Sequence, residues 1–454
     1  MISKFVDADR NTLYLLPPSI QEWLPEGHLA RFVVDIVSQL DLNPLRTAYA
    51  GVGSKAYNPE MLLVLLFYGY ATGVFSSRQM ERATYDSVAF RYIAANTHPD
   101  HDTIANFRKR FLEQLKPLFV QILLVAHTMK VLKLGKVSLD GTKVKANASK
   151  HHAFSWEHAC RLEAQLKEEV DALLRQAETA DRADVPDGMS IPEELARRKD
   201  RLEAIAKAKE EIERRAAERH ARETQAYEQK VAERKKKQEA TGKKPRGREP
   251  KKPEAGPPRP EDQVNLTDSE SRIMPTSAGG FEQAYNGQVS VDMDSLLIVE
   301  NHVSQSPNDK QEMEPALEGL GSLPQKLGKV EAATADAGFF SEDNVRSCES
   351  RQITPLIPEG RERHNRSLKE RFAEPPPLPE DAGAVDRMRH RLRTAEGRAL
   401  YAKRKSTVEP VFGIIKAVMG FRQFLLRGFE AVSGEWNLVC MAWNIKRLHA
   451  LVTG

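Results

Sequence analysis

Asp140, Asp336 and Glu409 are the residues around which this sequence can build chemistry. Asp140 ends a strand-like run, KVSLD, directly before Gly141; Asp336 ends another, EAATAD, before Ala337-Gly338; Glu409 sits in the apolar-striped helical segment STVEPVFGIIK. Small residues beside a carboxylate let a large charged substrate come close. Phosphodiester cleavage by hard divalent cations needs oxygen ligands and open positions, and Mg²⁺ is ordinarily held by one or two carboxylates plus water and substrate oxygens. Two ions roughly 3.5–4 Å apart stabilise the attacking and leaving oxygens together. Three acids then suffice without a nucleophilic side chain, and the sequence has no convincing Ser-His-Asp or Cys-His arrangement to supply one.

Each acid also has a structural reading. Asp before Gly or Ala-Gly forms turns. Glu409 and Ser406 could form a capping box; a helix starting after Thr407 would instead put Pro410 in the free-amide turn and Glu409 at the positive helix end. A third option is an earlier start with a bend at Pro410. The surroundings favour chemistry. Residues 384–405 carry eight bases (Arg387, Arg389, Arg391, Arg393, Arg398, Lys403, Arg404 and Lys405) against two acids, and Lys416 follows Glu409 by two helical turns on the same face. Cations beside a metal-binding acid can hold phosphates and position DNA ends. Asp292, Asp294 and Asp309 read as turn and loop residues.

Several elements must position these groups within 454 residues that carry 68 Lys+Arg and 64 Asp+Glu. That length predicts two or three domains. Cys160, Cys348 and Cys440 are too dispersed for a disulfide scaffold or a Cys-rich zinc module. The longest apolar stretch, residues 61–70, is too short to cross a bilayer, and residues 1–10 have no signal-peptide core, so a cytoplasmic protein without a membrane partner is expected. Residues 1–130 read as a helical domain: an apolar stripe over 28–40, a helix opened by Asn58-Pro59, a third helix over 77–95, and a fourth capped by Asp102 that turns Arg108, Lys109 and Arg110 outward. The last pair resembles a helix-turn-helix DNA reader, although by itself the segment favours a basic solvated helix. Strand character appears at 136–140, 287–292, 296–303 and 330–335.

Residues 151–262 interrupt this pattern. Near-heptad apolar positions (Ala159, Leu162, Leu166, Leu173, Leu195, Leu202, Ile205, Ile212) predict a helical hairpin or a dimerising coiled coil, with Lys209 as an imperfection. Residues 230–252 carry eleven Lys/Arg against three Glu and are expected to be disordered. Within them Lys244-Pro245-Arg246-Gly247-Arg248-Glu249-Pro250 resembles an AT-hook, in which arginines reach into a narrow minor groove. Glu249 intrudes there, so the favoured reading of Arg246 and Arg248 is a non-specific polycationic contact.

Together, KVSLDGTKVKANAS, NGQVSVDMDSLLIVENHVSQSPND, ATADAGFFSEDN and YAKRKSTVEPVFGIIKAVMGFRQFLLRG resemble the DDE transposases of bacterial insertion sequences, and HPDHDTIANFRKRF resembles the helical domain that commonly precedes their core. The resemblance implies an α+β protein: a helical N-terminal DNA-binding domain (1–130), then a ribonuclease H-like mixed-sheet domain (131–454) interrupted by the insertion. It implies that Asp140, Asp336 and Glu409 are catalytic ligands of two Mg²⁺ or Mn²⁺ ions. DNA contacts are implied for Tyr401, Lys416 and either Arg404 or Lys405. The family's last motif spaces its base three residues before the Glu; here Lys405 keeps that spacing and Arg404 keeps the spacing to Tyr401. The implied activity is binding of terminal inverted repeats, strand cleavage and strand transfer, with a homodimer bringing two ends together. A nuclease that only hydrolyses and a catalytically dead DNA-binding derivative are the alternatives.

Overall fold

The computed structural model describes residues 19–453 apart from 50–55, 150–152, 181–190, 242–246, 248, 255, 277–278, 361–372 and 380. It divides into two compact units, Met1–Val144 with Tyr285–Gly454, and Lys145–Ala284.

The first unit opens with six helices: α1 (Leu29–Ser38), α2 (Asn43–Thr47), α3 (Pro59–Thr72), α4 (Ser77–Asp86), α5 (Val88–Ile93) and α6 (His101–Thr128). Asn58 caps α3 as expected, its side chain accepting from the Glu60 amide at 2.9 Å. Every residue of α3 from Leu62 to Ala71 is buried, so α3 is a central rod without a polar face. The single helix expected over 77–95 is two helices, because Ser87 is extended (φ −103°, ψ 123°); Asp-Ser pairs compete with the helix through their side chains. The cap of α6 is Asp100, which accepts from the Thr103 amide at 2.6 Å, and Asp102 lies in the first turn.

β1 (Leu134–Lys145) leads into the second unit, which holds β2 (Ala153–Ser155), α7 (Trp156–Ala180), α8 (Ile191–Thr241), β3 (Gln263–Asn265) and β4 (Arg272–Pro275). α7 and α8 form an antiparallel hairpin: Glu169 meets Arg198 at 2.8 Å and Glu163 meets Lys209 at 2.7 Å. Ala159, Leu166 and Ile205 make its core, with Leu162 and Leu202 packed against them. The heptad-like stripe is thus satisfied within one chain. Lys209 fits because it pairs with Glu163 and lies 5.0 Å above the Trp156 ring. Residues 230–241, expected to be disordered, belong to α8; they consist mostly of Ala, Glu, Lys, Arg and Gln, which favour helix. The Ser155↔Gln263 pair closes β2 onto β3.

The chain continues through β5 (Phe281–Asp292), β6 (Ile298–Ser304), α9 (Met313–Gly321), β7 (Gly328–Thr334), α10 (Glu342–Ser350), β8 (Thr354–Leu356), α11 (Ala384–Arg393), α12 (Ala395–Ala402), α13 (Val408–Gly413) and α14 (Phe429–Thr453). Neighbouring strands run β6-β5-β1-β7-β8; β5 and β6 are antiparallel, while β1, β7 and β8 are parallel. This is a mixed, ribonuclease H-like sheet in an α+β fold. α14 lies directly on it. A Cβ at Gly287 would come within 2.8 Å of the Trp436 ring, so only glycine permits the approach. Trp436 Nε1 donates to the Gln288 carbonyl at 3.1 Å, and Asn444 bonds both the amide (2.8 Å) and the carbonyl (2.7 Å) of Ile298 on the outer strand. α14 also packs on α6 and α3. There Tyr70 donates to buried Glu435 at 2.7 Å and accepts from Arg108 at 3.0 Å.

Candidate active site

β1 runs past Asp140 to Lys145, so Asp140 lies inside a strand, not at its end as expected. What ends is the neighbour. The parallel register of β1 with β7 closes at Ser138↔Thr334, and two more residues along each chain bring Asp140 and Asp336 level where β7 no longer covers β1. Asp336 caps the short 3₁₀ turn Ala337–Phe339, its Oδ1 accepting from the Gly338 amide at 2.8 Å.

Glu409 arrives from the other side. α13 starts at Val408, with Pro410 in its first turn. Ser406 donates to the Lys403 carbonyl, so there is no capping box with Glu409. A 3₁₀ turn, Lys403–Ser406, precedes the helix and changes the phase of its side chains. Arg404 therefore points inward: one guanidinium nitrogen lies 2.7 Å from Asp140 Oδ2 and another 3.5 Å from Glu409 Oε1. Its Nε is buried without a hydrogen-bond partner. Lys405, which keeps the three-residue spacing, is exposed. Burial holds the half-buried Tyr401 phenol above the usual range; Arg404 opposes that rise, and the charges of Asp336, Asp140 and Glu409 add to it. Lys416 lies in a π-helical turn, Ile414–Val418, and donates to the Lys143 carbonyl of β1 at 2.9 Å. Burial, and then Lys143, hold its ammonium below the usual lysine range.

Burial pushes the Asp140 carboxyl up to about 6; Arg404 opposes that rise, and Asp336 and Asp309 add to it. The donor set suits a hard cation, since it consists of carboxylate oxygens and the Arg404 guanidinium already stands between Asp140 and Glu409 as a positive charge. Among the described residues no three His, Cys, Asp or Glu side chains are grouped closely enough to hold an ion as they stand.

A transposase domain model matches residues 18–110, and a transposase DDE domain model matches residues 258–445. The chain belongs to the DDE transposases of insertion sequences. No curated protein and no solved structure matches it. The family acts on DNA and generally uses divalent metal ions. The DDE match contains Asp336 and Glu409, whereas Asp140 lies outside both matched spans; its place in the transposase rests on the strand register.

The remaining basic residues divide by environment. Arg108 is buried, not outward: it donates to Tyr70 and to the Phe75 carbonyl (3.1 Å), because α6 is covered by α14 on that side. Arg110 donates to the Ala48 carbonyl and lies 5.3 Å from the Tyr49 ring centre, and Lys109 is exposed. Arg387 and Arg391 both pair with Glu349, and Arg389 with Glu359 and Asp386. The arginine-rich run is therefore largely engaged within the transposase. Arg246 and Arg248 lie outside the described residues. No single helix among the described residues is long and apolar enough to cross a membrane.

Sequence reasoning gave Asp309 only a turn or loop role and passed over Asn286 and Gln288. Asp309 Oδ1 accepts from Asn286 Nδ2 (2.7 Å), Gln288 Nε2 (2.5 Å) and Lys143 Nζ (3.4 Å). A signal existed: Asn286, Gln288 and Ser290 alternate with Gly287, Val289 and Val291, placing polar side chains together on one face of a buried strand.

Proposed function

We propose that this transposase binds the terminal inverted repeats of its element, cuts the strand there to free a 3′-hydroxyl, and joins that hydroxyl to target DNA. The observation that carries the reading is the level placement of Asp140 and Asp336 with Arg404 linking Asp140 to Glu409. Asp140, Asp336 and Glu409 would hold two Mg²⁺ or Mn²⁺ ions. Bound there, such ions activate water and stabilise charge on the attacking and leaving oxygens. In cleavage, a water oxygen bonds to phosphorus as the bond to the 3′-oxygen breaks. In transfer, that 3′-oxygen attacks a target phosphorus in line and displaces a target oxygen. Neither step needs a covalent enzyme intermediate.

On this reading Arg404 leaves the acids for a phosphate when DNA arrives, guided by its preference for paired anionic oxygens. Tyr401 and Lys416 line the same approach, and Lys109 contacts the backbone further out. A dimer would bring two ends together.

Asp140→Ala, Asp336→Ala and Glu409→Ala, made singly, should abolish cleavage of labelled end DNA while gel-shift binding persists. Cutting that survives in any one removes that residue from the site. Precut ends then separate transposition from simple hydrolysis: joined products support strand transfer, and end release without joining favours a nuclease.

A further inference from the structure

Asp309, in the segment between β6 and α9, uses its two oxygens differently. Oδ1 takes both strand amides and the Lys143 ammonium. Oδ2 carries no hydrogen bond to the described residues, and it lies 3.8 Å from where a Cβ at Gly338 would stand, beside the Asp336 turn. The carboxylate is thus held from behind, with a free oxygen turned toward the region of Asp336.

Asn286 supplies a second and independent sign. Its Nδ2 donates to Asp309 and to the Ser306 carbonyl at 3.2 Å, which fixes the amide's orientation. Its Oδ1, on a fully buried side chain, has no hydrogen-bond partner. That oxygen lies 2.9 Å from the position a Cβ would take at Gly141, the residue after Asp140. The same Cβ would stand 2.5 Å from Asp309 Oδ1 and collide with Gln288 Nε2. A buried carbonyl oxygen without a donor is satisfied by water or by a cation. Here it sits beside the Asp309 carboxylate, whose oxygens are the donors that hard divalent cations prefer.

We propose that Asp309 is a fourth carboxylate ligand of the divalent-cation site and that Asn286 Oδ1 is a further oxygen donor to it, with Gln288 and Lys143 positioning Asp309. The proposal rests on the assignment of Asp140 and Asp336 above. It also gives Gly141 a role, since any side chain there would fill the space between the donors.

Mn²⁺ binding to the full-length protein in complex with the end DNA of its element, which draws Arg404 off the acids, followed by electron paramagnetic resonance with DNA alone as the blank, tests this. Asp309→Asn keeps an oxygen for Asn286 and Gln288 and replaces Oδ2 with an amide nitrogen. It should weaken Mn²⁺ binding by at least about tenfold, the lower end of what loss of a supporting partner does to metal affinity, without lowering the melting temperature of the metal-free protein. Wild-type affinity in Asp309→Asn, with loss in Asp140→Asn, overturns the role of Asp309 and leaves the Asp140 assignment intact. Loss in Asp309→Asn alone supports Asp309 and overturns the assignment of Asp140. No Mn²⁺ uptake by the wild type overturns both. If Asp309→Asn does not fold, Fe²⁺ with ascorbate and peroxide on the wild type decides: backbone cuts near residues 286 and 309, as well as near 140, support the proposal, and cuts near 140 alone overturn it.

Discussion

Arg404 and Gly141 show how much the site depends on single side chains. Arg404 is the counter-charge shared by Asp140 and Glu409, whereas Lys405 next to it faces solvent. Arg404→Ala should slow cleavage by roughly a hundredfold or more, the scale for losing one positioned donor. Lys405→Ala should stay within about threefold, as a surface change does. Cleavage rates on one labelled end separate the two, and equal losses would remove the distinction. Gly141→Ala should destabilise by about 1–3 kcal/mol through overpacking against Asp309, Asn286 and Gln288. It should also abolish cutting, seen as a lowered denaturant midpoint together with lost cleavage.

At the scale of elements, β6 is held from two sides. α14 supplies Asn444, which satisfies the amide and carbonyl of Ile298. Asn444→Ala leaves both groups buried without partners and should cost about 1–3 kcal/mol for each, measured as a shift in denaturant midpoint. On the other side, His302 lies between Glu300 (2.8 Å) and Glu312 (3.2 Å), with Ser290 and Ser304 on the two carboxylates and Cys440 of α14 close to Glu300. Burial alone would push the imidazole down, but the hydrogen bonds to both glutamates lift it to about 9 from 6.5. A raised folded-state value means that the charged triad stabilises fully below about pH 6.5 and that this share is lost as pH rises through 9. Stability of the wild type should therefore fall across that window, with a flatter slope in His302→Gln; parallel slopes would exclude the triad as the cause. His302→Ala, by stranding two buried carboxylates, should cost about 3–5 kcal/mol.

For the molecule as a whole, the second unit is closed by the pairing of Ser155 with Gln263. A short turn joining these residues in place of α7 and α8 should therefore leave the first unit folded, because antiparallel partners are near enough for a two-residue connection. Near- and far-ultraviolet dichroism and Mn²⁺ binding should report an intact first unit, and collapse of the sheet signal would show that the hairpin is needed for folding. The other large-scale tie is Tyr70, Arg108 and Glu435, which joins three helices remote in sequence. Glu435→Ala should be severely destabilising, since Arg108 would lose the carboxylate that faces its network in a buried setting.

Chemical character and local periodicity are properties of short stretches, and these were legible in the sequence: the acids and their order, the helix opened by Asn58-Pro59, the strand runs, the hairpin stripe, and the family resemblance carried by the separate motifs. Direction and company are not local. Whether Arg108 faces water was decided by α14, more than 300 residues later in the chain. Whether Arg404 or Lys405 reaches the acids was decided by a 3₁₀ turn whose phase no spacing rule contains. The nearness of Asp309 to the acids required strands β5 and β1 to lie side by side and Gly141 to leave the gap. Burial and electrostatic partnership arise from pairs of distant segments, so only the assembled sheet and its covering helix could determine them.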